Sequence, residues 1–200
     1  MTKETAVKNF ILDKSEELFV KHGYSETSMD MIARACDISK PTLYNYFESK
    51  HALFDQLSRR VMNGILERLR ELLGQDKDKR EILKELITSS GTLLEDRKRF
   101  LQMYLRESHL MVHPDIEEEL HWYSDMRAQI VEAIGSLLAD ILRPEVKRKF
   151  GVTMAATTVF YILEGYLNEH VLSEHNDIAL HREFILKFLE TGVLKSPSKT

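Results

Sequence analysis

Lys40, Thr42, Tyr44, Asn45 and Tyr46 crowd into one short segment of the stretch 27–50, TSMDMIARACDISKPTLYNYFESK. Each carries a group that can meet a nucleic acid. A lysine ammonium reaches phosphate or guanine, Thr and Tyr hydroxyls reach phosphates, the Thr methyl suits the thymine methyl, and Asn reads adenine. One such residue on a solvated helix would mean little. Five together, with Leu43 and Phe47 spaced four apart as an inward side, define an outward face. Lys50, just beyond it, stands at a helix start from which it can pin a phosphate backbone.

Two short helices and a tight turn must position that face. Thr27 is a good N-cap residue, and Asp30 three positions on can complete a start that resembles a capping box. Ile32, Ala33 and Cys36 then fall on one apolar stripe. Cys36-Asp37-Ile38 makes the turn, since Asp tolerates a left-handed or bent backbone. Ser39 caps the next helix, and Pro41 sits in its first turn, where a missing N–H costs nothing. This arrangement places a helix in the DNA major groove.

The same residues, with Ile11-Leu12, Leu18-Phe19, Gly23-Tyr24, Thr27-Ser28, Ile32-Ala33, Ile38-Ser39, Thr42-Leu43-Tyr44, Tyr46-Phe47, Ser49-Lys50 and Leu53, carry a resemblance. The first quarter of the chain resembles the helix-turn-helix of the TetR family of bacterial transcriptional regulators. Asp37 stands where that family usually has Gly, and Pro41 where Gly is frequent; both fit the turn and bear on base preference. The resemblance implies DNA contacts from Thr27, Ser28, Ser39, Lys40, Pro41, Thr42, Tyr44, Asn45, Tyr46 and Lys50. It also implies a homodimer on operator DNA and a ligand cavity among the middle helices.

Composition bounds the rest. Of 200 residues, 43% are hydrophobic and 30% charged, as in an ordinary soluble chain, and only four Pro and eight Gly leave room for long helices. The longest uncharged run, residues 150–163, is shorter than the ~18 residues of a membrane span. The first ten residues lack an apolar signal core, and a single Cys excludes an intramolecular disulfide. A cytoplasmic location is expected. The chain carries a net charge of −4, and residues 1–50 hold seven Lys/Arg against eight Asp/Glu. It therefore lacks the basic balance of a nonspecific DNA coater. Binding must rest on local placement: Lys40 and Lys50 near the reading helix, Lys3 and Lys8 on an N-terminal arm, and Asp13, Glu16 and Glu17 facing away.

The pattern along the chain predicts an all-α protein of about nine helices. A first helix over 5–22 stops at Gly23 and buries Val7, Ile11, Leu18 and Phe19. A fourth starts at the Ser49 cap and runs to Gly74 with Leu53, Leu57, Val61, Ile65, Leu69 and Leu72 on its apolar side. Five more helical patterns follow, including one continuous helix from Pro144 to about Leu172 and a last one carrying Phe184, Ile185, Phe188 and Leu189. Residues 1–65 read as the DNA-binding head with its linking helix, 66–194 as a ligand-binding and dimerisation domain, and 195–200 as a disordered tail. Around Met154 and 159–163 the helix is apolar on every side. A domain this small usually buries one stripe, so the last two long helices are expected to form a dimer seam.

Met103, Tyr104, Met111, Trp122, Tyr123, Met126, Phe160 and Tyr161 form a set rich in Met and aromatics that suits an accommodating ligand cavity. Glu164, beside the apolar run, is a candidate for a cationic or hydrogen-bonding effector. His109, His113, Glu117 and His121 recur at four-residue spacing, but Pro114 interrupts any helix carrying all of them, and a metal site needs convergence. Surface or pocket histidines are the better reading, with a helical metal-dependent enzyme as the alternative class. No Walker loop, G-x-G-x-x-G, G-x-S-x-G or H-E-x-x-H occurs. No cofactor, metal or membrane partner is expected. The sequence reads as a ligand-responsive transcriptional regulator, a repressor in preference to an activator or a ligand-independent regulator.

Overall fold

The computed structural model describes residues 2–95, 97–107, 116–172 and 178–195. Among these the chain forms α1 (Lys3–His22), α2 (Met29–Ala35), α3 (Lys40–Tyr46), α4 (Lys50–Leu73), α5 (Lys79–Glu95), α6 (Lys98–Glu107), α7 (Ile116–Leu138), α8 (Pro144–Leu172) and α9 (Ile178–Gly192). The all-α expectation holds: the only β pairing among the described residues is an isolated bridge between Leu142 and Leu194.

The chain divides into two compact units, residues 1–64 with 96–114, and residues 65–95 with 115–200. In unit 1 the inward faces of the first four helices converge. Ile11, Phe19, Ile32, Leu43, Leu53 and Leu57 are fully buried. An aromatic cluster completes the core: Phe54 meets Phe19 edge-on at 5.2 Å, Tyr24 at 4.9 Å, and stacks with Phe100 at 5.9 Å and Tyr104 at 6.1 Å. Each such pair adds about 0.5–1.5 kcal/mol beyond its area burial. Gly23 ends α1 at φ 84°, and its N–H still donates to the Phe19 carbonyl at 2.8 Å. A side chain at that φ would strain the backbone.

Unit 2 is built around α7 and α8. Ile134, Leu137, Leu138, Ala156, Val159 and Leu163 meet there, joined by Ile82, Ile87, Ile185 and Leu189 from α5 and α9. The chain after α9 is fastened to the α7–α8 turn by main-chain bonds from Arg143 to Val193 (3.0 Å) and from Lys195 to Ile141 (2.9 Å). Two sequence expectations need correction. Helix α8 is not continuous: Gly151 takes φ 79°, ψ 166° and divides it into 144–150 and 152–172. Lys3 and Lys8 do not form an arm, because Thr2 caps α1 by accepting from the Thr5 N–H at 3.2 Å and both lysines lie within the helix. By length and composition alone α8 could cross a membrane, yet Ala155, Ala156, Val159, Phe160 and Leu163 bury one side of it in the core of unit 2.

Candidate nucleic-acid interface

The turn between α2 and α3 forms as its residue types require. Asp37 adopts φ 54°, a left-handed conformation that Asp tolerates better than most residues. The Ile38 N–H donates to Ala33 at 3.0 Å and the Asp37 N–H to Arg34 at 3.2 Å. Ser39 caps α3, its Oγ accepting from the Thr42 N–H at 3.2 Å. Leu43 is fully buried and Phe47 nearly so, which fixes the roll of α3 and sends its other side to solvent.

That solvent side carries Lys40, Pro41, Tyr44 and Asn45, all exposed, with Thr42 and Tyr46 half-buried at its margins. Ser39 Oγ and Thr42 Oγ1 lie 2.7 Å apart and share a hydrogen bond. Lys40 Nζ reaches across to Asp30 on α2 at 3.0 Å. The hydrogen bond and charge of Asp30 hold the Lys40 ammonium above its usual pKa, so it stays charged at any physiological pH.

Two residues of the predicted set take other work. Thr27 is not the cap of α2. It is buried, and its hydroxyl donates back to the carbonyls of Gly23 (2.7 Å) and Leu18 (3.3 Å), sealing the end of α1. Ser28 is the cap instead, exposed and accepting from Met31 N–H at 3.2 Å, which moves the third helical position to Met31 and leaves no capping box at Asp30. Lys50 turns inward along the head. Its ammonium donates to the carbonyls of Tyr24 (2.8 Å) and Ser25 (3.3 Å) and lies 4.3 Å from the centre of the Tyr24 ring. The signal for Lys50 lay in Tyr24, since a cation over an aromatic ring gains about 0.5–1 kcal/mol or more.

Three of the four acids of α1 are paired within unit 1. Glu16 accepts from Arg97 at 2.7 Å and Arg60 at 3.4 Å, Asp13 pairs with Arg60 at 2.8 Å, and Glu17 pairs with Lys14 at 2.9 Å. Two cations from outside the first fifty residues, Arg60 and Arg97, thus offset part of the negative charge that composition counted against DNA. Cys36 is buried in the head, and burial raises its thiol pKa, the opposite of what a reactive thiolate needs.

Residues 11–57 match the sequence profile of the bacterial regulatory proteins of the tetR family. The reading head of this chain is a TetR-family helix-turn-helix. The repressor KstR2 of Rhodococcus jostii is 26% identical over 123 residues, 61% of this chain and 58% of that protein. The curated relatives are matched over 35% to 58% of their own length. A TetR-family regulator from Pectobacterium atrosepticum shares the fold with a TM-score of 0.73 at 16% identity, covering 98% of this chain and 99% of that one. FadR from Bacillus subtilis, solved in complex with stearoyl-CoA, does so with a TM-score of 0.66 at 17% identity over 92% of this chain and 98% of that one.

The residues named for a ligand fall into two groups. Met103 and Tyr104 lie on α6 in unit 1, Tyr104 within the aromatic cluster; the sequence reading had placed them in the regulatory half. Trp122, Tyr123, Met126, Phe160, Tyr161 and Glu164 lie on α7 and α8 in unit 2. Met111, His109 and His113 lie outside the described residues, as do the side chains of Glu117 and His121. Tyr123 Oη donates to Glu164 Oε1 at 2.5 Å, and Arg127 donates to Tyr161 Oη at 2.8 Å. Partial burial, then the bond to Glu164, push the Tyr123 phenol up to about 12. Beside this pair a groove of about 540 Å³ runs between α7 and α8, lined by Arg127, Glu132, Ser136, Val152, Thr153 and Thr157 among others. None of its polar lining was singled out by the Met and aromatic pattern.

Proposed function

We propose that this protein is a homodimeric, cytoplasmic transcriptional repressor that binds a near-palindromic operator through α3 and leaves it when a small-molecule effector binds. The observation that carries this reading is the exposed row Lys40, Tyr44, Asn45 standing directly over the buried Leu43 and Phe47. Such a helix can enter a major groove without loosening its own core. In this reading Lys40 and Asn45 contact bases, and Ser28, Ser39, Pro41, Thr42, Tyr44 and Tyr46 contact or border the phosphates. Thr27 and Lys50 keep the head in shape.

The dimer is supported by what α8 and α9 leave in water. Met154, Tyr161 and Leu172 on α8 and Leu180, Phe184 and Phe188 on α9 are between 43% and 68% exposed. On α8 they follow the helical repeat of 154, 158, 161, 165 and 172, a stripe that a second copy would cover. Two heads would then meet half-sites one helical turn or a multiple apart. Residues 66–194 supply the seam and the effector site, with the α7–α8 groove, Tyr123 and Glu164 as the best-placed receptors. The stearoyl-CoA bound by FadR supports a small-molecule effector in this fold without identifying the one used here. Release is a population shift: the effector must bind the two spacings of the heads with different affinity.

Selection of bound DNA from a random duplex pool tests the reading. Enrichment of an inverted repeat, followed by its release in a compound screen, is expected. A chain that enriches no sequence over input is not such a repressor.

A further inference from the structure

Unit 1 contains a cleft that the DNA-reading face does not use. It lies open to solvent between the last turns of α1 and one face of α6 and offers about 730 Å³. Helix α6 contributes Arg99, Gln102, Met103 and Arg106, and α1 contributes Glu17, Val20 and Lys21, in both cases at the spacing of a single helical face. Lys21, Arg99 and Arg106 are exposed, and among the described residues none of them has an ion-pair partner. The neighbouring cations Lys14, Arg60 and Arg97 are all paired with carboxylates. The one acid of the lining, Glu17, is held by Lys14 at 2.9 Å. The cleft is thus cationic in a chain of net charge −4, and its floor is apolar, with Met103 buried and Val20 half-buried.

A basic residue near a helix C-terminus is common, because the carbonyl end of the dipole favours it. That accounts for Lys21 on α1 and for Arg106 in the last turn of α6, but not for Arg99, which stands in the first turn of α6, where the dipole disfavours a cation. Arg99 and Arg106 stand two turns apart on one face of α6, about 10 Å along the helix axis, and their long side chains can reach toward each other, one to each phosphate of a diphosphate. Guanidinium forks bind phosphate oxygens in pairs. The volume falls within the ~300–1,000 Å³ typical of small-molecule sites, and a duplex backbone, being convex, would bridge the rims and leave the apolar floor empty.

We propose that this cleft binds a small molecule bearing a diphosphate, held by Arg99 and Arg106 with Lys21 opposite, its less polar part resting on Val20 and Met103. Such an occupant bridges α1 and α6 and stabilises the head by mass action. The binding is independent of the repressor reading; its effect on operator affinity rests on that reading.

Calorimetric titration of the full chain with pyrophosphate, adenosine 5′-diphosphate and inorganic phosphate, at about 0.15 M salt, tests this. Saturable binding of the first two at one site per chain is expected, with inorganic phosphate weaker. The double variant Arg99→Gln, Arg106→Gln should raise Kd about thirtyfold or more with an unchanged circular dichroism spectrum, and Lys21→Gln should weaken binding less. Arg148→Gln with Lys149→Gln, an equal charge change on exposed residues of unit 2, should leave Kd unchanged. No saturable binding by the wild type up to about 10 mM, or equal loss in both double variants, overturns the proposal. So does a result in which neither diphosphate binds but the Arg99, Arg106 pair weakens binding to duplex DNA, which would assign these cations to a nucleic-acid backbone. A chain that binds diphosphate and no operator would keep the cleft and refute the repressor.

Discussion

Unit 1 closes its aromatic core within itself, while unit 2 leaves a row of large apolar side chains on α8 and α9 in water. In the first, Glu16 is clamped by Arg60 and Arg97, and the rings of Phe19, Tyr24, Phe54, Phe100 and Tyr104 meet one another. In the second, Phe184 is 68% exposed and stacks with Phe188, itself 48% exposed, at 6.4 Å. Single exposed apolar residues are ordinary, but a ladder of them along two helices marks an interaction surface. A reading head must present a fixed face to DNA and therefore needs a core finished within one chain. In the proposed dimer the exposed row on α8 and α9 would gain its stability from a second copy.

The comparison breaks most easily at its aromatic residues. Phe54→Ala is expected to destabilise the chain by about 3–5 kcal/mol, because it empties the centre of a closed core; denaturant unfolding checks it. Phe184→Ala should leave the stability of the isolated chain nearly unchanged. Phe184→Asp, in contrast, should weaken self-association by about 3–4 kcal/mol, since a charge would be buried without a partner. Sedimentation should find a monomer of normal helix content. If the Phe184→Asp chain sediments as the wild type does, the seam lies elsewhere.

The fold was legible because its signals were local. Gly23, Ser39, Ser49 and Gly74 mark helix ends by their own chemistry, and α4 declares itself through Leu53, Leu57, Val61 and Leu72. What failed depended on contacts distant in sequence. Nothing near Thr27 says that its hydroxyl will turn back to Leu18 and Gly23, so Ser28 was overlooked as the cap. Lys50 reads as a phosphate ligand until Tyr24 is seen beneath it, 26 positions earlier. Likewise α6 carries the same Met and aromatic residues as a cavity wall would, and only its packing on α1 and Phe54 assigns it to the head. Glycine at 151 inside an apolar run gave a local hint of the break in α8 that helical periodicity overrode.

Smaller effects sharpen the same contrast. Glu16→Gln should cost about 1–3 kcal/mol, because two guanidiniums lose a shared carboxylate whose side chain is only 15% exposed; a drop in the midpoint of thermal unfolding checks it. Tyr123→Phe should cost about 0.5–1 kcal/mol at neutral pH, where it removes the hydrogen bond to Glu164. The wild-type phenol, raised to about 12 from an unfolded value near 10, contributes stability that is complete below pH ~10 and lost as pH rises through about 12. Phenolate absorbance should therefore show one tyrosine ionising near pH 12, and that step should vanish in Tyr123→Phe.

The claim that α3 reads bases is tested most directly by comparing the operator profile of the wild type with that of the Lys40→Ala, Asn45→Ala double variant, each selected from the same random duplex pool. The account predicts an inverted repeat for the wild type and a relaxed profile at the positions under α3 for the variant, with about 1–3 kcal/mol of discrimination lost per bidentate contact. Tyr44→Ala should instead weaken all sites alike and leave the profile intact. Identical base preferences in the wild type and the double variant would contradict the account.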